Sequence, residues 1–261
     1  VTYWGIVAQR PSESEDARFF RDLRGAWVPC LQNPSGLTLY DLSGWNNHGT
    51  LTSMDAPTDW VLTSRGVNLD LDGANDFITA VGPLTTLPIT LLVWFFPRST
   101  ANGAIINLSC DSGFDRWNGI SAQSNQVTGY TTDSTTPATI SISFAINQWA
   151  CAAYSIDANG NRIMYVNGVV ATGTYTPSTT TVYSAVDIGG FRVRRGATPS
   201  SFLNCIVADA RVYGRAMSVG EMNALWRGGP GYGLRAKRRF ARFGSTSTAN
   251  RRRRVICGAN C

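Results

Sequence analysis

Several things are scarce in this chain, and each scarcity closes a class of chemistry. There is one histidine, His48, and the only glutamates are Glu13, Glu15 and Glu221. A glycosidase needs paired carboxylates flanking the scissile bond, as a Glu-x-Asp-x-x-Glu run on one strand would supply. No such run exists. A Ser-His-Asp arrangement would have to recruit His48 from a stretch dominated by turn residues. No C-x-x-C pair occurs and the histidine is remote from every cysteine, which argues against a zinc site. No apolar run approaches the roughly 18 residues of a membrane-spanning helix. The longest, Ile89 to Phe96, has the length of one buried strand. The chain opens at Val1 with no Met and no basic-then-apolar leader, as a processed or incomplete N-terminus would. These absences point away from an enzyme and away from a membrane span.

What is present favours sheet. Hydrophobic residues make up 43% of 261, with eight Trp, nine Tyr and 26 Gly among many Thr, Ser and Asn. That composition suits an all-β domain with an extracellular-looking surface, long enough to bury one large core. Six cysteines fall at irregular spacing, and a domain this size needs no covalent staple. Cys151 and Cys205 lie in strand-like runs and read as buried thiols, whereas Cys257 and Cys261 are the better candidates for a bridge. Charge is divided unevenly. From Arg227 to Cys261 there are ten Lys or Arg and no acid, while the other 226 residues hold 13 bases against 17 acids. The net +6 therefore belongs to the tail and not to the body.

The hydrophobic pattern places the elements. Residues 17–24 can form a short helix ending before Gly25, with Phe19, Phe20 and Leu23 on one face. Residues 25–29 read as the first strand, ended by Pro29. Residues 66–71 alternate at period two and resume after a turn as 77–81. Residues 89–96 form a central strand. Shorter strands follow at 105–108, 119–122 and 126–130. Residues 149–156 and 162–166 read as a hairpin, 205–213 as the last long strand, and 219–226 as a helix capped by Ser218.

Four motifs share one resemblance. The run Tyr40-Asp41-Leu42-Ser43-Gly44-Trp45-Asn46-Asn47-His48-Gly49-Thr50 packs turn chemistry between apolar stretches. Leu69-Asp70-Leu71-Asp72-Gly73-Ala74-Asn75-Asp76-Phe77 forms a second motif. Trp149, Asp157 and Tyr165-Val166-Asn167-Gly168 mark a third. Asp209-Ala210-Arg211-Val212-Tyr213-Gly214-Arg215-Ala216-Met217-Ser218 with Glu221 is the fourth. Together they resemble LamG-like domains of the concanavalin A-like lectin/glucanase superfamily. Trp45 stands where that pattern usually has Asn, and Ala208 where it usually has an acid. The resemblance implies an all-β fold, a two-sheet antiparallel jelly-roll sandwich, spanning residues 25–228. An N-terminal arm (1–24) and a basic C-terminal arm (229–261) flank it.

The resemblance also implies glycan binding and, in many members, calcium. For calcium, Asp41 with Asn46 or Asn47 offers hard oxygens, and Asp209 could oppose them. The alternative is that Asp41 bonds only its own loop. The run from Asp157 to Asn161 mimics the start of an EF-hand loop, but it lacks that loop's later Gly and Glu. For glycans, aromatic stacking with amide partners nominates Trp117, Trp45, Trp60, Tyr130 and Asn118. Trp117 stands out because its neighbours are polar. In the tail, Arg235, Lys237, Arg238, Arg239, Arg242, Arg251, Arg252, Arg253 and Arg254 interleave with Phe240 and Phe243. This pattern suits an arm laid on an acidic neighbouring subunit. Nucleic acid is a poorer partner, because the body is acidic and carries no reading motif. The sequence thus suggests a non-enzymatic structural or surface subunit of a larger assembly. Its partners would be copies of itself or other subunits and surface glycans, on a virion or outside a cell. The competing reading is a free secreted lectin module.

Overall fold

The computed structural model describes residues 13–32, 36–81, 86–110, 116–132, 137–176, 182–192 and 194–234. In chain order its strands begin with β1 (Leu23–Trp27), β2 (Thr38–Leu39), β3 (Gly49–Thr52), β4 (Trp60–Thr63), β5 (Gly66–Asp72) and β6 (Phe77–Val81). Next come β7 (Ile89–Pro97), β8 (Gly103–Cys110), β9 (Trp117–Gln123), β10 (Gln126–Thr132) and β11 (Ala138–Ser143). The series ends with β12 (Ala150–Ile156), β13 (Asn161–Val166), β14 (Val169–Thr174), β15 (Tyr183–Ile188) and β16 (Asn204–Tyr213). Helices are α1 (Glu13–Phe20), α2 (Ala56–Asp59) and α3 (Val219–Gly228).

These strands form two antiparallel sheets. The first runs β14-β13-β12-β7-β16-β5-β4, with β1 also paired to β16, and the second runs β11-β10-β9-β8-β15-β6-β3-β2. The jelly-roll sandwich expected from the sequence is the observed architecture. Leu91, Val93 and Phe95 of β7 point between the sheets, facing Ile106, Leu108, Ile120, Val127 and Val186 of the second. The alternate residues of β7, Leu92 and Trp94, belong to a second apolar cluster on the outer face of the first sheet. Both faces of β7 are therefore covered, which explains why its sequence is apolar throughout instead of alternating.

That outer face is closed by the segments next to the sandwich. Phe19 of α1, Met222 and Leu225 of α3, and Leu234 pack against Leu92, Trp94, Cys151, Tyr165 and Tyr213. Helix α3 starts in a reciprocal capping box between Ser218 and Glu221. Beneath this cover lies an ion pair with almost no exposure. Arg211 donates from Nε to Asp209 Oδ1 at 2.9 Å and from Nη2 to Oδ2 at 2.6 Å, and the Gly231 amide adds a bond at 2.8 Å. Burial opposes the Arg211 charge, yet the adjacent Asp209 carboxylate wins and raises its pKa.

Two departures, one from the sequence expectation and one from the resembled pattern, have physical causes. Helix α1 stops at Phe20, not Arg24, because Asp22 takes a left-handed conformation (φ 56°). The chain then reverses, and Leu23 begins the strand that pairs with Tyr213 of β16. Ala208, where the resemblance has an acid, falls at a register shift in β16 and is buried in the second cluster, where a charge would have no solvation. Cys151 and Cys205 are buried thiols, as their strand context suggested, and burial pushes Cys205 up to about 12. Cys257 and Cys261 lie outside the described residues.

The sandwich is also fastened at one edge. Arg162 of β13 donates to the carbonyls of Ala138 in β11 (2.8 Å) and Thr174 in β14 (3.0 Å), tying the edge strands of the two sheets together.

Candidate glycan-binding site

The loop around Asp41 serves as a stitch to β1. Asp41 Oδ1 accepts the amides of Ala26 and Ser43, each at 2.9 Å, while Oδ2 accepts the Ser43 hydroxyl (2.7 Å) and the Asn47 amide (3.0 Å). Asn47 Nδ2 donates to Arg24 O at 3.0 Å, and Trp27 Nε1 donates to Asn47 O at 2.8 Å. His48 Nδ1 accepts the Asp41 amide at 3.1 Å. Asn46 occupies the left-handed region at φ 59°. All four carboxylate lone-pair directions of Asp41 thus point at protein donors. Asp209 is engaged with Arg211 and Gly231. The expected ligand set Asp41, Asn46, Asn47 and Asp209 therefore does not fit a calcium ion. Among the described residues, no group of three or more His, Cys, Asp or Glu is placed to hold a metal.

The expected sugar contacts separate into two groups. Trp45 is half exposed, but its Nε1 donates to Leu23 O at 3.0 Å and the Arg24 guanidinium lies 4.9 Å from its ring. It clamps the loop to β1. Trp60 packs against the main core and donates to Gly36 O at 3.2 Å. Asn118 alternates with outward Trp117 and Gly119 and is fully buried, so it faces the interior. Trp117 and Tyr130, by contrast, come together on the outer face of the second sheet.

Strand register brings them together. In the β9–β10 pair, Trp117 lies opposite Thr132 and Gly119 opposite Tyr130. The two aromatics are therefore diagonal neighbours on one face. Gly119 makes the floor: a Cβ there would sit 2.2 Å from Tyr130 Oη, so only the bare backbone lets the phenol lie down. Tyr130 Oη donates to Asn107 Oδ1 at 3.2 Å, and Asn107 Nδ2 donates to Arg192 O at 2.8 Å. Burial and the nearby Asp187 both push the Tyr130 hydroxyl up, so it remains a neutral donor.

A third ring comes from the loop after β15. Phe191 exchanges backbone hydrogen bonds with Ser200 at 2.8 and 2.9 Å. Arg192 reaches down to fully buried Asp187, with Nε 2.9 Å from Oδ2, and also bonds Thr79. Burial raises the Asp187 carboxyl, against the opposing pull of Arg192. The pair anchors the loop, and Phe191 is held over the sheet. Its ring is 5.4 Å from Trp117 at 83° and 6.1 Å from Tyr130 at 69°.

The three rings border an open cavity of about 230 Å³. Its polar lining is Asn102, Ser121, Gln123, Thr128, Thr139 and Ser201, with no charged side chain among the described residues. Sequence reading missed Phe191 and every one of these polar residues. Alternation along 117–123 could have exposed Ser121 and Gln123 as companions of Trp117. Nothing local marks Phe191, which enters from a distant loop.

A second, acidic cleft gathers Asp59, Asp70, Asp72, Asp76, Arg98 and Asn204. Its groups bond one another: Arg98 holds Asp70 and Asn204, and Asp72 accepts the Ala74 amide at 2.7 Å. It staples the turn between β5 and β6.

An antiparallel two-sheet sandwich with an aromatic-bordered cavity on one outer face is a lectin-type jelly roll. The chain belongs to the concanavalin A-like lectin/glucanases superfamily, whose family model matches residues 71–223, more than half of its length. Several solved structures share the fold. Domain 4 of AbnA, an extracellular arabinanase of Geobacillus stearothermophilus solved with arabinotriose, superposes with a TM-score of 0.59 at 17% identity, covering 78% of this chain and 97% of that domain. The botulinum neurotoxin serotype D ligand binding domain, solved with N-acetylneuraminic acid, gives 0.61 at 11% identity over 82% of this chain and 52% of that one. Trypanosoma rangeli sialidase in complex with sialic acid gives 0.57 at 15% identity, over 78% and 32%. The chain thus spans about half of the toxin domain and a third of the sialidase. At these identities the likeness concerns the fold alone. No curated protein matches the chain by sequence.

Proposed function

We propose that this protein is a non-catalytic carbohydrate-binding module whose site is the cavity bordered by Trp117, Tyr130 and Phe191. The observation that carries the reading is the set of three rings held at fixed angles around a space lined by hydroxyls and amides. Sugars present apolar C–H faces and a rim of hydroxyls, and this surface offers a partner to each. Structures of the same fold solved with arabinotriose and with N-acetylneuraminic acid support a sugar ligand. Among the described residues lining the cavity there is no carboxylate, and Glu221 is held by Arg215 and the α3 cap.

The test is calorimetric titration with an oligosaccharide panel, comparing the wild type with Trp117→Ala and Phe191→Ala. Loss of a stacking ring should weaken binding at least about tenfold, equivalent to about 1.4 kcal/mol, with the fold retained by circular dichroism. Binding unchanged in Trp117→Ala overturns the assignment.

A second reading, a subunit of a larger virion or extracellular assembly, rests on charge alone. Ten bases with no acid crowd residues 227–261 beside a mildly acidic body. The named arm residues, Arg235 through Arg254, lie outside the described residues. Deleting 235–261 should then abolish higher-order association in sedimentation while sugar binding persists. Unchanged sedimentation removes this reading.

A further inference from the structure

The reading of the cavity as a sugar site leaves the class of sugar open, and two features of the cavity narrow it. Resting on that reading, we infer that the site takes an uncharged saccharide, gripped through one or two rings, and discriminates against acidic glycans and flat polymer surfaces.

Charge is the first argument. A carboxylate entering a partly dry site gives up hydration and needs a cation or several converging donors in return. The side chains offered by Asn102, Ser121, Gln123, Thr128, Thr139 and Ser201 are neutral amides and hydroxyls, each able to accept as well as donate. That duality matches sugar hydroxyls, which also do both, and is half wasted on a carboxylate, which only accepts. Arg192, next to Phe191, is closed on Asp187 and Thr79. Arg116, beside Trp117 in sequence, does not line the cavity. Asp187 is itself fully buried, and its charge reaches the lining: it raises the Tyr130 hydroxyl, a sign that also disfavours a second carboxylate.

Ring geometry is the second. A straight polymer chain, or a crystalline sugar surface, is met by aromatic rings lying side by side in one plane. Here the rings of Trp117 and Tyr130 stand 83° and 69° from Phe191. Rings in edge-to-face contact offer no continuous flat platform, so the surface they leave can meet only one or two sugar rings. At about 230 Å³, the space is below the roughly 300–1,000 Å³ of sites that engulf a drug-sized ligand. Gly119 and Asn107 fix the Tyr130 ring, and the Asp187–Arg192 pair fixes the Phe191 loop, so the surface is preorganised.

The experiment is titration of the full chain, followed by tryptophan fluorescence and calorimetry. Probes are neutral tri- and hexasaccharides of glucose, xylose, mannose and arabinose, with trigalacturonate and sialyllactose as acidic probes. At least one neutral trisaccharide should bind at least about tenfold more tightly than either acidic probe. Its affinity should change less than about twofold between about 0.05 and 0.5 M NaCl, because no ligand charge is there to be screened. The hexasaccharide should gain no more than a few-fold over the trisaccharide, and Trp117→Ala should abolish the response. If an acidic probe binds best and loses its binding in Trp117→Ala, the sugar site stands and the uncharged class falls. If affinity climbs tenfold or more from trimer to hexamer, the one-or-two-ring grip falls. If no probe perturbs Trp117, both this inference and the sugar site fall.

Discussion

The two outer faces of the sandwich carry similar aromatic side chains and use them oppositely. On the first sheet, Trp94, Tyr165 and Tyr213 are roofed by α1, α3 and the segment through Leu234, and they form a second core. On the second sheet, Trp117, Tyr130 and Phe191 border open space. The difference lies in coverage. Where two helices and the segment through Leu234 lie across a sheet, an aromatic contributes burial, about 25 cal/mol per Å² of apolar surface removed from water. Where, among the described residues, one short loop covers only part of the sheet, the same residue type borders an open cavity. One outer face of this fold is thus covered and adds to stability, while the other leaves a cavity open.

Substitutions can break that division, and the largest effect should come from the covered face. Asp209→Ala leaves Arg211 buried beneath α3 without its counter-charge. This should cost about 3–5 kcal/mol in urea unfolding. Sugar affinity of the folded fraction should not change, because Asp209 belongs to the other sheet. A shift in affinity would show that the two faces are coupled.

On the open face, Gly119→Ala places a methyl where Tyr130 Oη now lies. The phenol must lift and lose its bond to Asn107. Overpacking of this kind should cost about 1–3 kcal/mol, a smaller stability loss than that from Asp209→Ala. The sharper readout is sugar affinity, which should fall at least about tenfold. Retained affinity would mean that Tyr130 is not part of the site.

The smallest effect is on pH dependence, and it too belongs to the covered face. Burial pushes the Glu221 carboxyl up, but Arg215 at 2.7 and 3.1 Å and the Ser218 amide outweigh it and hold the pKa low. The folded value lies below the unfolded one, so the stabilisation is complete above the ordinary glutamate value of about 4.3. It is lost as pH falls through the folded value. Urea midpoints between pH 6 and pH 3 should fall less steeply in Glu221→Gln than in the wild type. Equal slopes would show that the Arg215 pair contributes nothing.

Much of the fold could be read from the chain because its signals are local. Apolar runs ended by Pro or Gly gave the central strand and the hairpins, and Ser218 with Glu221 marked the start of α3. The Asp41 loop was recognisable as turn chemistry, and its bonds to β1 show why: Asp and Asn side chains stand in for a missing strand partner. The same side chains suggested a metal, but the Asp41 oxygens are engaged by the amides of Ala26, Ser43 and Asn47.

The candidate site was half legible. Trp117 stands out in the sequence because its neighbours are polar, and Tyr130 is nominated there as a loop aromatic, whereas both lie within strands, β9 and β10. Trp45 and Trp60 shared those features and turned out to be packing residues, since only their neighbours in space distinguish them. What the sequence determined alone was the sheet-forming pattern, the caps and the uneven distribution of charge, all properties of residues near one another along the chain. Which aromatics stay open was decided by tertiary structure. Strand register set Tyr130 over Gly119, and a loop some 60 residues away lowered Phe191 beside them, a meeting that loop closure over that distance leaves unwritten in any local pattern.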